Sequence, residues 1–250
     1  MTQNMSAKVE KTAIVTGASK GIGAEIAIRL AADGHAVVVN YAQATADAAG
    51  VVEKIHAAGG KAIAVKGDVA ALDCACNLYD VAEREFGPVD VFVNNAGMLR
   101  QAPLAESDDA MFDRLVSVNL GGYFRGMRES ARRMRGGGRI INISTSVVGF
   151  YHPNFGVYAA TKAGVDAMTH ILAKELGPRQ VTVNAVAPGQ VETVLFLEGK
   201  TEAELRYYAD RIPLGRLGRP TDIVGIVAFL AGPESAWLSG QVIRVNGGGV

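Results

Sequence analysis

Sulfur, imidazole and net charge are all scarce in this chain, and each scarcity closes a class of chemistry. Two cysteines occur, Cys74 and Cys76, separated by one residue. They form neither a redox C-x-x-C nor a four-ligand zinc pattern, and a reduced cytoplasm is their simplest setting. The four histidines (His35, His56, His152 and His170) have no metal-ligand spacing, so no metal is expected. The 25 basic side chains balance 25 acidic ones, which argues against nucleic acid as the main partner. No apolar run approaches the roughly 18 residues of a membrane span. Residues 1–11 lack the apolar core of a signal peptide. Pro/Ser-rich linkers and long charge runs are missing as well, so residues 1–250 are expected to form one domain.

What is present is apolar and periodic. Hydrophobic residues make up 49% and charged ones 20%, enough for a sizeable core. Short β-branched runs at 12–16, 36–40, 62–66, 90–94, 139–144, 180–187 and 241–245 read as strands. Most are continuously apolar rather than alternating, as parallel strands covered on both faces are. Helical patterns fill the intervals at 21–33, 44–58, 71–86, 112–135, 157–176 and 221–231. Alternation of strand and helix throughout implies an α/β fold, a doubly wound parallel sheet of Rossmann type. Residues 188–213 break the rhythm and read as a lid insertion. Arg132, Arg133, Arg135 and Arg139 cluster around three glycines, and read as cations suited to the negative end of a helix dipole.

The first apolar run leads into Gly17-Ala18-Ser19-Lys20-Gly21-Ile22-Gly23 and then into a helical pattern. Glycines let backbone approach a pyrophosphate closely, and a helix N-terminus offers N–H donors and a positive dipole end. In this strand–turn–helix context the glycines predict dinucleotide binding. The tip of the second strand should choose between NAD and NADP, because a carboxylate there would repel a 2′-phosphate. It reads Asn40-Tyr41-Ala42, with no acid, and Lys20 in the glycine turn can reach a phosphate. Both features point to NADP.

Tyr158 and Lys162 stand four residues apart, so on a helix they share a face. Tyrosine titrates near 10 and is a poor acid or base at neutral pH, and a nearby ammonium favours its phenolate. The pair reads as a tuned proton donor and acceptor. Just upstream lie three hydroxyls, Ser144, Thr145 and Ser146.

These motifs, together with G-D-V (67–69), N-N-A-G (94–97), the V-N-L around Asn119 and A-P-G (187–189), resemble the short-chain dehydrogenases/reductases of the ordinary type, from end to end. The C-terminal half looks most like the NADP-dependent carbonyl reductases grouped with 3-oxoacyl and trihydroxynaphthalene reductases. The resemblance implies that Asp68 and Val69 edge the adenine, and that Asn95, Ala96 and Gly97 line the cofactor cleft. It implies that Pro188, Val191 and Thr193 meet the nicotinamide end, with Gly189 in the same A-P-G motif. Tyr158 would pass a proton to or from the substrate oxygen, Lys162 would lower its pKa and hold the ribose, and Asn119 would support a water reaching Lys162. The family's substrate-orienting serine falls thirteen residues before the tyrosine; here that position is Thr145, while Ser146, followed by V-V-G, also fits the serine context. A homotetramer is implied too, with helices at 112–135 and 157–177 pairing between subunits.

The expected reaction is reversible hydride transfer between NADPH and a ketone. The expected pocket edges are Met98 and Leu99, then Tyr151, His152 and Phe155, then Val194, Leu195, Phe196 and Leu197. This mainly apolar set has no arginine clamp for a carboxylate, and it favours a neutral ketone, cyclic or aromatic. Residues 195–197 could equally pack a lid helix onto the body. A non-catalytic sensor or interaction protein of the same fold is the competing reading; loss of the Tyr/Lys pair would mark it, and here the pair is present.

Overall fold

The computed structural model describes residues 11–250; most of the N-terminal stretch inspected for a signal segment, residues 1–10, lies outside them. Seven strands carry the fold: β1 (Lys11–Val15), β2 (His35–Tyr41), β3 (Lys61–Lys66), β4 (Val89–Asn94), β5 (Arg139–Ile143), β6 (Thr182–Pro188) and β7 (Val242–Val245). They form one parallel sheet in the order β3-β2-β1-β4-β5-β6-β7. Central strands β2, β5 and β6 are buried at every residue, as their unbroken apolar runs require, whereas edge strand β3 alternates. The chain reverses direction across the sheet between β1 and β4. A crevice opens at the carboxyl ends of strands at such a point, where ligands of this fold bind.

Helices α1 (Gly21–Ala32), α2 (Thr45–Ala57) and α3 (Cys74–Glu85) follow the first three strands. After β4 come α4 (Asp109–Leu115) and α5 (Tyr123–Arg133), then α6 (Val147–Phe150) and α7 (Gly156–Leu176) beyond β5. The segment after β6 holds α8 (Val194–Leu197) and α9 (Glu202–Ala209), and α10 (Pro220–Ala231) precedes β7. Two apolar clusters fill the two faces. One joins Ile26, Leu30, Ile55, Val227 and Leu230 from α1, α2 and α10 to the sheet. The other joins Leu78, Tyr79, Met127, Val165 and Leu176 from α3, α5 and α7. Each such side chain contributes roughly 1.5–3 kcal/mol on burial.

The helix expected over 112–135 is interrupted. Residues Val116–Gly122 form a π-helical turn between α4 and α5. A π turn holds one extra residue and re-aims the side chains it carries. Here it accompanies tight packing: a Cβ on Gly122 would lie 2.9 Å from Val69 Cγ2, and one on Gly126 2.3 Å from Asn94 Oδ1. The helix expected from residue 71 starts at Cys74, because Asp68 first closes a turn by accepting from the Ala70 and Ala71 amides. The arginine cluster divides as well. Arg132 and Arg133 occupy the last turn of α5, and Arg133 pairs with Asp80, Glu83 and Glu129. Arg139 instead starts β5, buried, donating to the carbonyls of Gly137, Gly138 and Gly232.

Candidate active site

The glycine turn between β1 and α1 is braced from β4. Thr16 Oγ1 accepts from the amides of Asn95 (2.9 Å) and Ala96 (3.0 Å). Asn95 Nδ2 donates back to the carbonyls of Thr16 and Gly17. Gly17 has φ +61°, and its Cβ would sit 2.7 Å from Ala96 Cα; a Cβ on Gly23 would sit 2.4 Å from Asn95 Nδ2. Only glycine fits either place. No side chain caps the N-terminus of α1, and no acid occupies its first turn. Its free N–H groups therefore face the crevice as an anion site. Ser19 and Ile22 are half-buried around this turn, and Lys20 is exposed, 3.4 Å from Asp47.

From the far end of the chain, Thr193 reaches the same turn: its Cγ2 lies 3.4 Å from the position a Cβ on Gly21 would take. Thr193 also caps α8 by accepting from the Phe196 amide. Pro188 ends β6, Gly189 is bonded to Val245, and buried Val191 bridges to Gly218. The segment 188–213 thus spans from β6 to the glycine turn, in the place expected of a lid.

Asn40 has a different task from the one its position suggested. Its side chain is buried, accepts from the Gly17 amide (3.2 Å), and donates to the carbonyls of Val65 and Gly67. It braces the glycine turn against β3 and has no free polar atom left for a ribose. Tyr41 is buried, and Ala42 is exposed at the strand tip. Asp68 is tied to Arg114 at 3.0 Å, with Val69 half-buried beside it.

Tyr158 and Lys162 share one face of α7. Burial pushes the Tyr158 phenol up to about 12, and the nearby Thr145 hydroxyl opposes the shift. Burial also pulls Lys162 down to about 7, opposed by Asp166 one turn on. Lys162 Nζ donates to Tyr123 Oη (2.8 Å) and to the Ile143 carbonyl (2.7 Å). The expectation that Lys162 draws the Tyr158 pKa below 10 is therefore not met in this arrangement. Desolvation of the phenol is the larger effect, and the ammonium is turned to other partners.

The three hydroxyls separate by their surroundings. Thr145 Oγ1 accepts from the Val147 amide and meets Tyr158. Ser146 Oγ is buried, donating to the Ala187 carbonyl (2.9 Å) and accepting from Asn246 Nδ2 (3.1 Å). Ser144 Oγ is buried against Asp166 without a well-formed hydrogen bond, and its amide donates to Val186. Asn119 is wholly buried in the π turn; it accepts from the Met98 amide (2.9 Å) and donates to the Met98 carbonyl (2.8 Å). The clamp takes one N–H and one lone pair of its amide. Gly97 lies beside it, with a Cβ position 3.3 Å from Asn119 Oδ1 and 3.8 Å from Lys162 Nζ.

The expected pocket edge splits in two. Tyr151, His152 and Phe155 line a cavity of about 280 Å³ on the flank of α7 with Ala159, Ala160 and Ala163. Rings of Phe150, His152, Phe155 and Tyr158 follow one another at 5.1, 6.3 and 6.3 Å between centroids. In the lid, Phe196 packs edge-on against Tyr208, and Val194, Leu195 and Leu197 are exposed. The residue that motif reading missed is Tyr123. Its position one turn after Asn119 was the available signal, since it puts both on one helical face.

A doubly wound sheet, a braced glycine turn and a Tyr/Lys pair on one helix define a dinucleotide-dependent oxidoreductase. The profile described as "Enoyl-(Acyl carrier protein) reductase" matches residues 17–249. A short-chain type dehydrogenase/reductase of Picea abies is 44% identical, covering 96% of this chain and 92% of that protein. An "NADPH-dependent aldehyde reductase-like protein, chloroplastic" of Arabidopsis thaliana is 42% identical over 95% of this chain and 93% of its own length. The crystal structure of a Burkholderia cenocepacia short-chain dehydrogenase in complex with NADP is similar at a TM-score of 0.91. It is 34% identical and covers 96% of this chain and 98% of that one. The chain belongs to the short-chain dehydrogenase/reductase family of NAD(P)-dependent oxidoreductases. Among the described residues, no helix is long and apolar enough to cross a membrane, and no cluster of His, Cys, Asp and Glu could hold a metal.

Proposed function

We propose that the protein is an NADPH-dependent reductase of neutral, apolar ketones, working reversibly on the corresponding secondary alcohols. The observation that carries the proposal is that Tyr158 and buried Lys162 share one face of α7, with the Thr145 hydroxyl near enough to Tyr158 to act on its phenol. The uncapped N-terminus of α1 and the space that Gly17, Gly21 and Gly23 leave open fit a pyrophosphate. Asn95, Ala96, Gly97, Pro188, Gly189, Val191 and Thr193 would border the rest of the dinucleotide. When bound, the cofactor supplies the hydride. Tyr158 would hold the proton destined for the substrate oxygen, and Thr145 would donate a hydrogen bond to the same oxygen as charge develops there. Lys162 would offset the charge left on the phenolate. The 2′-phosphate would draw Lys20 from Asp47, since Asn40 is committed to the turn.

Exposed Phe124 on α5 and Ile171 on α7 support a homotetramer built on these helices. The unpaired thiols of Cys74 and Cys76 support a reduced, cytoplasmic setting. The test is a comparison of NADPH and NADH oxidation over acyl thioesters, cyclic ketones and polyphenolic ketones. Turnover with NADPH preferred and cyclic or aromatic ketones leading is expected; inactivity over the whole panel would return the protein to the binding-module class.

The hydroxyl assignment has its own test. Thr145→Val is expected to lower kcat by about 10²-fold, the usual effect of deleting one donor to a developing oxyanion. Ser146→Ala should keep kcat near wild type while lowering stability by about 1 kcal/mol, because it breaks the link from β6 to Asn246. Steady-state rates and thermal melts of both variants would reverse the assignment if the two patterns changed places.

A further inference from the structure

Tyr123 belongs to no motif, yet it is the residue most closely engaged with Lys162. It opens α5 immediately after the π turn and is fully enclosed, 1% exposed. Its hydroxyl donates to the Ile143 carbonyl at 2.8 Å, which turns an oxygen lone pair toward Lys162. Lys162 Nζ donates to that oxygen at 2.8 Å and to the same carbonyl at 2.7 Å, closing a triangle. The ammonium also lies 4.2 Å from the centroid of the Tyr123 ring, within cation–π range. An ammonium has three N–H donors, so two are held in the triangle and one is left.

We propose that Tyr123 is a positioning residue that seats the Lys162 ammonium and keeps it charged, so that one N–H stays available to the proton-transfer tyrosine and the cofactor cleft. The proposal rests on the reading of Tyr158 and Lys162 as the proton-transfer pair. A hydroxyl acceptor and a π face both favour the cation, whereas the apolar surroundings of α5, α7 and β5 oppose it. Other groups around Lys162 are few. On α7 they are Tyr158 and Asp166, the latter faced by His170, by Ser144 at the end of β5 and by Arg244 of β7. Asn119 of the π turn approaches from the Gly97 side. None of these supplies a second cation–π contact or replaces the Tyr123 oxygen.

Tyr123→Phe keeps the ring and removes only the oxygen; Tyr123→Val removes both. In protein labelled with 13C at lysine Cε, the Lys162 signal is assigned by its loss in Lys162→Met and then followed against pH. Tyr123→Phe is expected to lower the Lys162 midpoint by about one pH unit, the effect of one hydrogen bond to a charged group, in a variant that stays folded. Tyr123→Val is expected to lower it further, and if that variant fails to fold, Tyr123→Phe alone decides. A midpoint that stays in place or rises in folded Tyr123→Phe overturns the proposal. Because the readout is the lysine itself, it holds even if the ketone panel finds no turnover, which would overturn the proposed function separately.

Discussion

Tyr158→Phe is expected to reduce ketone-dependent NADPH oxidation by about 10³-fold or more while leaving the fold and NADPH binding intact. The loss is that of a positioned proton donor, which typically contributes 10²–10⁴-fold. The ring remains to pack against Phe155, so the melting temperature should barely move. Activity that survives unchanged would remove Tyr158 from the reaction. The pH dependence follows from the two opposite shifts. Tyr158, held up at about 12, keeps its proton over the whole working range. Lys162, held down at about 7, carries its charge only below that pH. In the proposed reaction, reduction uses a protonated phenol and a charged lysine, so its rate should decline as pH rises above 7. Stability runs the other way. The folded pKa of Lys162 lies below its usual 10.5, so between about 7 and 10.5 the unfolded chain binds the additional proton and stability rises with pH. In Lys162→Met that rise should be missing from thermal melts taken across the window.

Gly17→Ala is expected to damage both the fold and the cofactor turn. It places a Cβ at φ +61° and 2.7 Å from the backbone of Ala96, so neither partner can move aside as a flexible side chain would. Left-handed backbone strain and overpacking together should lower stability by about 2–4 kcal/mol. Distortion of the turn should also weaken NADPH binding by roughly 10²-fold, about 2.7 kcal/mol. Gly50→Ala is the matched control. Gly50 lies inside α2 with nothing within 4 Å of its Cβ position, and alanine there should stabilise the helix by about 0.5–1 kcal/mol. Chemical denaturation and a fluorescence titration with NADPH would separate the two. Equal effects at both positions would sink the packing explanation.

The sheet was legible because parallel strands buried on both faces leave continuous apolar runs; β5, expected over 139–144, is found at Arg139–Ile143. The π turn was not, because Val116–Gly122 looks helical by period. It coincides with the meeting of Gly122 with Val69 and of Asn119 with Met98, contacts that no local pattern contains. At the site, the glycine turn and the Tyr/Lys pair are local motifs and could be read directly. Thr145 and Ser146 could not be told apart, since adjacent hydroxyls on one turn differ only in their partners: Tyr158 for one, Ala187 and Asn246 for the other. Asn40 showed that a strand-tip residue can be free of acid and still be unavailable to a ligand. Tyr123 has no motif at all; its role comes from the place where the π turn delivers it.

The glycine turn also ties the site to the folding of the whole chain. Its walls come from β1, from β4 through Asn95, and from Thr193 beyond β6, so no short fragment contains it. Closing such distant loops is entropically late, and the cradle exists only once nearly all long-range contacts have formed. A dinucleotide held there binds the native chain and not its unfolded ensemble. At a hundredfold excess over its Kd it would add about 2.7 kcal/mol to stability, so the cellular supply of cofactor would set how long each copy of the protein endures.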